Sequence, residues 1–158
     1  MSSAHRAHGR LIVVGFDGSP AGDAALRWVL GVAVQPGDSV HAVVVRPVQV
    51  FLPGTSFALQ PHGHRPAGRC SPREHIAAIR VEFPAEGEVT VSTPQGDPAT
   101  ELITASADAD LLVVGARGAG RTQEFLLGSV SRECVRYSRC PVVVVTPEAA
   151  RRLAPATT

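Results

Sequence analysis

The chain lacks the features of membrane proteins, secreted proteins and polyanion-binding proteins. It has 158 residues, and no apolar run approaches the roughly 20 residues that span a bilayer. Its beginning, MSSAHRAHGR, has no apolar signal segment. Its formal net charge of +1 provides no field that would attract nucleic acid or an acidic membrane. We therefore expect a protein that binds neither nucleic acid nor a membrane.

Cysteine and aromatic residues are also scarce. The three cysteines, Cys70, Cys134 and Cys140, form no Cys-x-x-Cys pair, and their number is odd. This usage indicates a reduced, cytoplasmic protein. Aromatic residues make up 4% of the chain and apolar residues 44%, so the core must consist mainly of Val, Leu, Ile and Ala. The length fits one domain.

Short apolar segments alternate with helical patterns along the chain. The predicted strands are residues 11–15, 40–45, 89–91, 111–114 and 141–145. Helices are expected after Ser19-Pro20, over 72–83, after Asp97-Pro98 and over 129–138, because a capping residue followed by proline is typical of a helix start. The first helix should bury an apolar face that includes Trp28 and Val32. This alternation predicts an α/β fold, with an open five-stranded parallel sheet between two layers of helices.

Three segments show no period of either kind. Residues 46–71 are rich in proline and glycine and predict a long flexible loop. Residues 1–9 and 148–158 are expected to be disordered tails. The folded domain should therefore cover residues 10–147.

Glycines are concentrated directly after the fourth predicted strand, in GARGAGRTQEFLLGS. Gly115 and Gly118 would let the backbone pass close to a bulky group, with free N–H groups directed at it. Gly128 and Ser129 begin a helix whose unpaired amides and positive dipole end suit phosphate. The Ser129 hydroxyl adds one more donor. The pattern predicts a cradle for the phosphates and ribose of a nucleotide.

The same glycines also have a purely structural interpretation, in which Gly115 only turns the chain after a strand and Gly128 only starts a helix. The stretch is not a P-loop, because no Gly-Lys-Ser/Thr follows, and it is not G-x-G-x-x-G, because position 123 is not glycine. Arg117 and Arg121 would add positive charge to a phosphate cradle.

The spacing Gly115-x2-Gly118-x9-Gly128-Ser129 resembles the G-x2-G-x9-G-[ST] motif of the nucleotide-binding branch of the universal stress protein family. Three longer segments resemble the same family in the same order: VVGFDGSPAGDAALRWV, GDPATELITASADADLLVVGARG and LLGSVSRECVRYSRCPVVVV. The resemblance covers residues 10–147.

This resemblance implies a Rossmann-like sheet of the adenine nucleotide alpha hydrolase type, with strand order 3-2-1-4-5. It implies a homodimer joined along the last strand, from Pro141 to Val145, where a proline start suits an edge strand. It also implies ATP as the ligand, with Mg²⁺ held mainly by the phosphates. The residues that the resemblance assigns to the adenine and ribose are Asp17 and Val45, those for the ribose and phosphates are Gly115, Arg117 and Gly118, and those for the phosphates are Gly128, Ser129, Val130 and Ser131.

The chain departs from the family around residues 46–83. Its second helix is short and proline-bounded where the family has a long amphipathic one, and Arg46 stands where the family more often has an apolar or aromatic residue. Both changes lie beside the predicted position of the adenine. The sequence therefore supports the phosphate cradle more strongly than the adenine position.

Other groups of reactive residues have simpler interpretations. His62, His64, Cys70 and His75 could ligate zinc, but their spacing matches no established zinc pattern, and solvated loop histidines are the alternative. Cys134, six residues before Cys140, is expected to be a buried structural thiol rather than a redox-sensitive one.

No constellation of catalytic residues is evident. No histidine is placed by sequence to activate Ser19, which suits a helix cap better than a nucleophile. The leading hypothesis is an ATP-binding stress-response regulator that is not an enzyme and that acts on an unidentified protein partner. The alternatives are a dimeric interaction module that works without nucleotide, and a slow ATP hydrolase.

Overall fold

The computed structural model describes residues 9–48, 70–84, 86–116 and 127–153. The flexible loop predicted over 46–71 and the tail predicted over 1–9 lie mostly outside these residues. The strands are β1 (Leu11–Gly15), β2 (Ser39–Val43), β3 (Glu88–Ser92), β4 (Leu111–Gly115) and β5 (Val142–Val145), and the helices are α1 (Pro20–Trp28), α2 (Pro72–Glu82), α3 (Pro98–Ala105), α4 (Ser129–Tyr137) and α5 (Pro147–Leu153).

The five strands form one parallel sheet in the order β3-β2-β1-β4-β5. This confirms the predicted fold class and strand order. The strands are rich in Val and Leu because a parallel sheet is covered on both faces and needs apolar side chains on both. The winding direction reverses between β1 and β4, where open α/β sheets form a crevice at the carboxyl ends of their strands.

Two apolar clusters, one on each face of the sheet, make up the core. The first joins Ile12, Val14 and Val40 of the sheet to α1 and to Ile76 and Ile79 of α2. The second lies under α3 and α4 and contains the sheet residues Val13, Val43, Leu112 and Val114, together with Leu102 and Cys134 of those helices. The helices therefore form two layers with the sheet between them, as the alternating pattern predicted.

Four helices begin in the same way, with a polar cap followed by proline, and at α5 the Thr146 hydroxyl oxygen accepts the Ala149 amide at 3.1 Å. Ser19 accepts a hydrogen bond from the Gly22 amide, and Asp97 accepts one from the Thr100 amide. Ser71 forms a reciprocal capping box with Glu74, which holds the start of α2. The helix starts at residues 20, 72 and 98 are therefore local properties of the sequence.

The end of α1 and the chain after β5 differ from the prediction. After Trp28 the helix continues as a π-helical turn, Val29–Ala33, and this turn leaves Val32 with 55% of its surface exposed rather than in the core. Trp28 packs against the first cluster but is only partly buried. A disordered tail was expected from residue 148, but the chain forms α5, which lies against α1 and places Ala149 on the core.

The first turn of α1 packs directly against the end of β4. A β-carbon on Gly115 would lie 2.1 Å from the Ala21 carbonyl oxygen and 2.8 Å from the Ala21 β-carbon. Real β-carbons do not approach backbone atoms so closely, so only glycine fits at this position. The contact sets the distance between the loop after β1 and the end of β4.

A buried carboxylate ties the start of β1 to the turn before β2. Asp38 is 5% exposed and accepts hydrogen bonds from the Arg10 amide (2.8 Å), the Arg10 guanidinium (2.6 Å) and the Gln35 amide (3.0 Å). Burial alone would raise the pKa of Asp38, but these hydrogen bonds outweigh it and hold the pKa below its ordinary value.

We predict that Asp38→Asn lowers the free energy of unfolding by about 1–3 kcal/mol at pH 7, because the charged hydrogen bonds to Arg10 are lost. A carboxylate with a lowered folded-state pKa stabilises the fold above its unfolded pKa, near pH 4, and loses that contribution as the pH falls through the folded value. Urea unfolding at pH 7 and pH 3 should therefore show the deficit of the variant shrinking at pH 3. The exposed Asp108→Asn is the control, and an equal deficit at both pH values would contradict the prediction.

We also predict that Gly115→Ala destabilises the protein by at least about 1–3 kcal/mol without any ligand, because its β-carbon overlaps Ala21. In Gly37→Ala the new β-carbon meets no atom within 4 Å, although Gly37 has φ +89°, so that variant should lose only about 1–2 kcal/mol of backbone strain. Thermal and urea unfolding measure both. A Gly115→Ala protein as stable as the wild type would show that the close packing is not required.

Candidate functional site

The crevice at the carboxyl ends of β1 and β4 brings several of the sequence-predicted residues to one edge of the sheet. Asp17 follows β1, Val45 follows β2 and Gly115 ends β4. Helix α1 leaves β1 on one face, and α4 lies on the other face. Of the predicted site, Arg117 and Gly118 lie outside the described residues.

The loop after β1 holds the Asp17 carboxylate in one orientation. Its Oδ1 atom accepts hydrogen bonds from the Ser19 amide (2.9 Å) and the Ser19 hydroxyl. The Ser19 oxygen in turn accepts the Gly22 amide at 3.2 Å. Gly18, between them, has φ +76°, a conformation that favours glycine. The sequence FDGS therefore produces an exposed carboxylate anchored at the start of α1.

The sequence analysis missed Gly22, which is needed at the same place. A β-carbon on Gly22 would lie 2.7 Å from Oδ1 of Asp17 and 3.1 Å from the Asp17 amide nitrogen. The carboxylate thus lies directly over the first turn of α1, whose positive end favours it. A glycine three residues after a capping serine is a weak signal, because helix starts tolerate glycine for several reasons.

Gly115 is close to protein rather than to open space. The Ala21 backbone approaches it, and the next residue, Ala116, is buried and donates its amide to the Val145 carbonyl at 2.8 Å. The packing against Ala21 therefore requires glycine at this position without any ligand. It also lets the start of α1 approach the end of β4.

The start of α4 has the geometry expected of an anion site. Gly128 is the N-cap, in an extended conformation (φ −62°, ψ 164°), and has no side chain to cap the helix. Its carbonyl accepts the Arg132 amide at 3.0 Å, so the amides of residues 129–131 precede the first bonded turn. Ser129 is exposed, whereas Val130 is partly buried in the second cluster.

Ser131 faces inward. Its side chain is 2% exposed, and its hydroxyl donates to the Gly128 carbonyl at 3.1 Å. Its hydroxyl therefore holds the Gly128 cap in place, and its backbone amide is one of those at the start of α4. Among the residues predicted for the phosphates, Ser129 is the one whose hydroxyl faces solvent.

Val45 lies where β2 leaves its partner β1. The amides of Val44 and Arg46 donate to the Ser92 and Pro94 carbonyls on the β3 side, at 2.9 and 2.8 Å. Because backbone groups alternate along an extended strand, the N–H and C=O of Val45 face the opposite side, toward the crevice. The Val45 side chain is partly buried against the second cluster. The Arg46 backbone prolongs the sheet through a bridge to Gln95, and its side chain is exposed.

The other reactive residues contact protein groups. His75 Nε2 lies 3.1 Å from both oxygens of Asp23, and Cys70 is exposed. His62 and His64 lie outside the described residues, and the parts of the chain that the structure describes contain no group of three metal-ligating side chains.

Cys134 is buried, as expected of a structural thiol. Burial, and then the nearby carboxylates Glu133 and Asp97, raise the pKa of its thiol to about 11. Such a thiol is not ionised at neutral pH and is a poor nucleophile.

No helix within the described ranges is both long enough and apolar enough to cross a membrane. Around Asp17 and Ser19, the described side chains include no histidine positioned as a base, since His75 is paired with Asp23.

Comparison with known proteins identifies relatives of this chain. Curated relatives include a universal stress protein of Mycobacterium tuberculosis, 37% identical over 155 residues, which cover 94% of this chain and 50% of the relative. One from Mycobacterium bovis is 34% identical over 137 residues, which cover 84% and 44%. The chain thus spans about half the length of the curated relatives it matches.

Solved structures show the same fold. A universal stress protein family protein from Arabidopsis thaliana with AMP bound has a TM-score of 0.61 at 21% identity, covering 94% of this chain and 97% of that one. A universal stress protein in complex with cAMP also gives 0.61 at 21% identity, over 87% and 97% of the two chains. The model of the Universal stress protein family matches residues 9–146, and the chain belongs to that family.

Proposed function

We propose that the protein is an ATP-binding regulator of the stress response, in which the nucleotide lies across the carboxyl ends of β1, β2 and β4. The observation that carries this proposal is that three groups lie at the carboxyl ends of the strands. They are the oriented carboxylate of Asp17, the backbone of Val45 that faces the crevice, and the start of α4. These are the groups that a nucleotide's ribose, base and phosphates require.

Each part of the nucleotide has a matching group. The N–H and C=O of Val45 can pair with the edge of adenine, which carries both an acceptor and a donor. Asp17 offers its second oxygen as an acceptor for a ribose hydroxyl, since Ser19 uses only Oδ1. The free amides at the start of α4 and the Ser129 hydroxyl suit the phosphates.

The residues between β4 and α4 complete the motif in this proposal. Arg117 and Gly118 would contact the ribose and phosphates, as the family resemblance implies. Mg²⁺ would take its ligands from phosphate oxygens and water, because it keeps several waters and needs few protein ligands. Solved relatives with AMP, cAMP and dAMP support an adenine nucleotide as the ligand class.

Binding rather than catalysis suits this site. Asp17 is oriented by Ser19, and no described side chain beside it could act as a general base for water. A bound nucleotide would join the start of α1 to the start of α4, elements that lie on opposite faces of the sheet. We infer that nucleotide binding alters the surface offered to a protein partner. We also infer a reduced, cytoplasmic compartment, which the three unpaired cysteines favour.

We predict that saturating ATP-Mg raises the melting temperature of the protein. At 100 times the dissociation constant, linkage gives about 2.7 kcal/mol, or roughly 5–10 °C for a domain of this size. Ser129→Ala should reduce the shift without lowering the stability of the free protein, because the side chain is exposed. Gly118→Ala should abolish the shift, and AMP should give a smaller one.

The control for this experiment is Asp108→Asn. Asp108 is exposed and precedes β4, at the amino ends of the strands, so this variant should respond to ATP like the wild type. Absence of any shift in the wild type would contradict ATP binding. An equal shift in wild type and Ser129→Ala would contradict the role of the start of α4.

We also infer a homodimer through the outer edge of β5. The Pro141 and Val145 carbonyls accept amides of Leu112 and Ala116 at 3.0 and 2.8 Å, so they face β4. By alternation, the N–H and C=O of Val142 and Val144 face the outer edge of the sheet. An exposed edge of this kind is stabilised by pairing with a second copy.

We predict that Val144→Pro converts a dimer into a monomer. Proline removes one of the two outward amides while sparing the hydrogen bonds to β4, so the fold should survive. Val144→Ala loses the same side chain but keeps the amide and should remain dimeric. Sedimentation velocity measures both, and circular dichroism checks the fold. A dimeric, folded Val144→Pro protein would place the interface elsewhere.

A further inference from the structure

A polar contact joins α1 to α2 beside the candidate site. His75, in the first turn of α2, lies with Nε2 3.1 Å from both carboxylate oxygens of Asp23 on α1. The side chains are 37% and 25% exposed, respectively. The His75 ring also packs edge-to-face on Phe16, the residue before Asp17, with ring centroids 5.3 Å apart. Neither the fold nor the nucleotide site explains why a histidine is used here.

Asp23 depends on His75 for its pairing. Its Oδ1 atom is buried and has no well-aligned hydrogen bond from the described residues, and His75 is the described side chain that contacts the carboxylate within hydrogen-bond distance. Burial raises the pKa of Asp23, and the like charge of Asp17 adds to this, while His75 and Arg27 oppose it. Arg27, one turn further along α1, is itself paired with Glu82 and lies over the Phe83 ring.

We propose that the Asp23–His75 contact is a pH-responsive junction that holds the first turn of α2 against α1 more tightly when the imidazole is protonated. A neutral imidazole can donate one hydrogen bond to the carboxylate, whereas a protonated one adds an ion pair to that bond. The junction should therefore weaken as the pH rises and the imidazole loses its charge.

The effect is confined to the start of α2. Among the described residues, the charged groups near the pair are Asp17 and Arg27 on the α1 side and Glu74 beside His75. The Glu74 carboxylate already accepts the Ser71 amide at 2.7 Å. The rest of α2 is held by Ile76 and Ile79, which are 3% and 2% exposed, and by the Arg27–Glu82 pair at its end. Loosening should therefore open the first turn without undocking the helix.

Hydrogen exchange tests the junction directly and without nucleotide, so its outcome is independent of the proposed ATP binding. The amide of His75 donates to the Ser71 carbonyl at 3.0 Å and reports the first turn of α2. After correction for intrinsic rates, its protection should fall about 1.5- to 5-fold between pH 5.5 and 7.5, the size expected for a partly exposed ion pair. In α3 and β1, protection should not change in the same way.

Matched variants separate the junction from general pH effects. His75→Gln keeps a side-chain donor but cannot be protonated, so the fall in protection between pH 5.5 and 7.5 (the pH step) should disappear. Asp23→Asn should make this step smaller. His41→Gln should retain the full step, because His41 Nε2 contacts only the Ser92 hydroxyl, at 2.7 Å on the sheet. Protection of the wild type that does not vary with pH, or a step that persists in His75→Gln, would overturn the proposal.

Discussion

The close contact between the Ala21 backbone and Gly115 is the constraint on which the rest of the site depends. It brings the first turn of α1 against the end of β4, next to the loop that holds Asp17. Because a single β-carbon would overlap backbone atoms there, side-chain rotation cannot relieve the clash. The contact therefore fixes the spacing between the start of α1 and the end of β4.

The helix starts of α1 and α4 are capped differently. Asp17 is anchored by Ser19, and Ser19 by Gly22, which makes the loop and the start of α1 one hydrogen-bonded unit. On the opposite face of the sheet, the Gly128 cap has no side chain, and no side chain of the described residues caps α4. In the proposed function, this asymmetry favours a phosphate at α4 rather than at α1.

Local signals predicted most of the fold. The capped starts at Ser19 and Asp97 and the Val-rich strands agree with the structure, because caps, prolines and β-branched runs act within a few residues. The strand order, which the family resemblance implied, also agrees with it. Two errors have different origins. Val32 is apolar but lies in a π-helical turn that leaves it exposed, which residue type alone does not indicate. Helix α5 begins with a local signal that the prediction overlooked, since the Thr146 hydroxyl oxygen before Pro147 accepts the Ala149 amide.

For the site, the sequence by itself determined the chemistry: an acidic side chain after β1, a glycine-capped helix after β4, and family membership through the spacing between them. Only the tertiary structure decided which of these groups are available. It turned the Ser131 hydroxyl inward, left that of Ser129 in solvent, and paired His75 with Asp23. It also packed Gly115 against Ala21. The physical reason is that residue type fixes what a group can donate or accept, while only the packing of distant segments fixes what it faces.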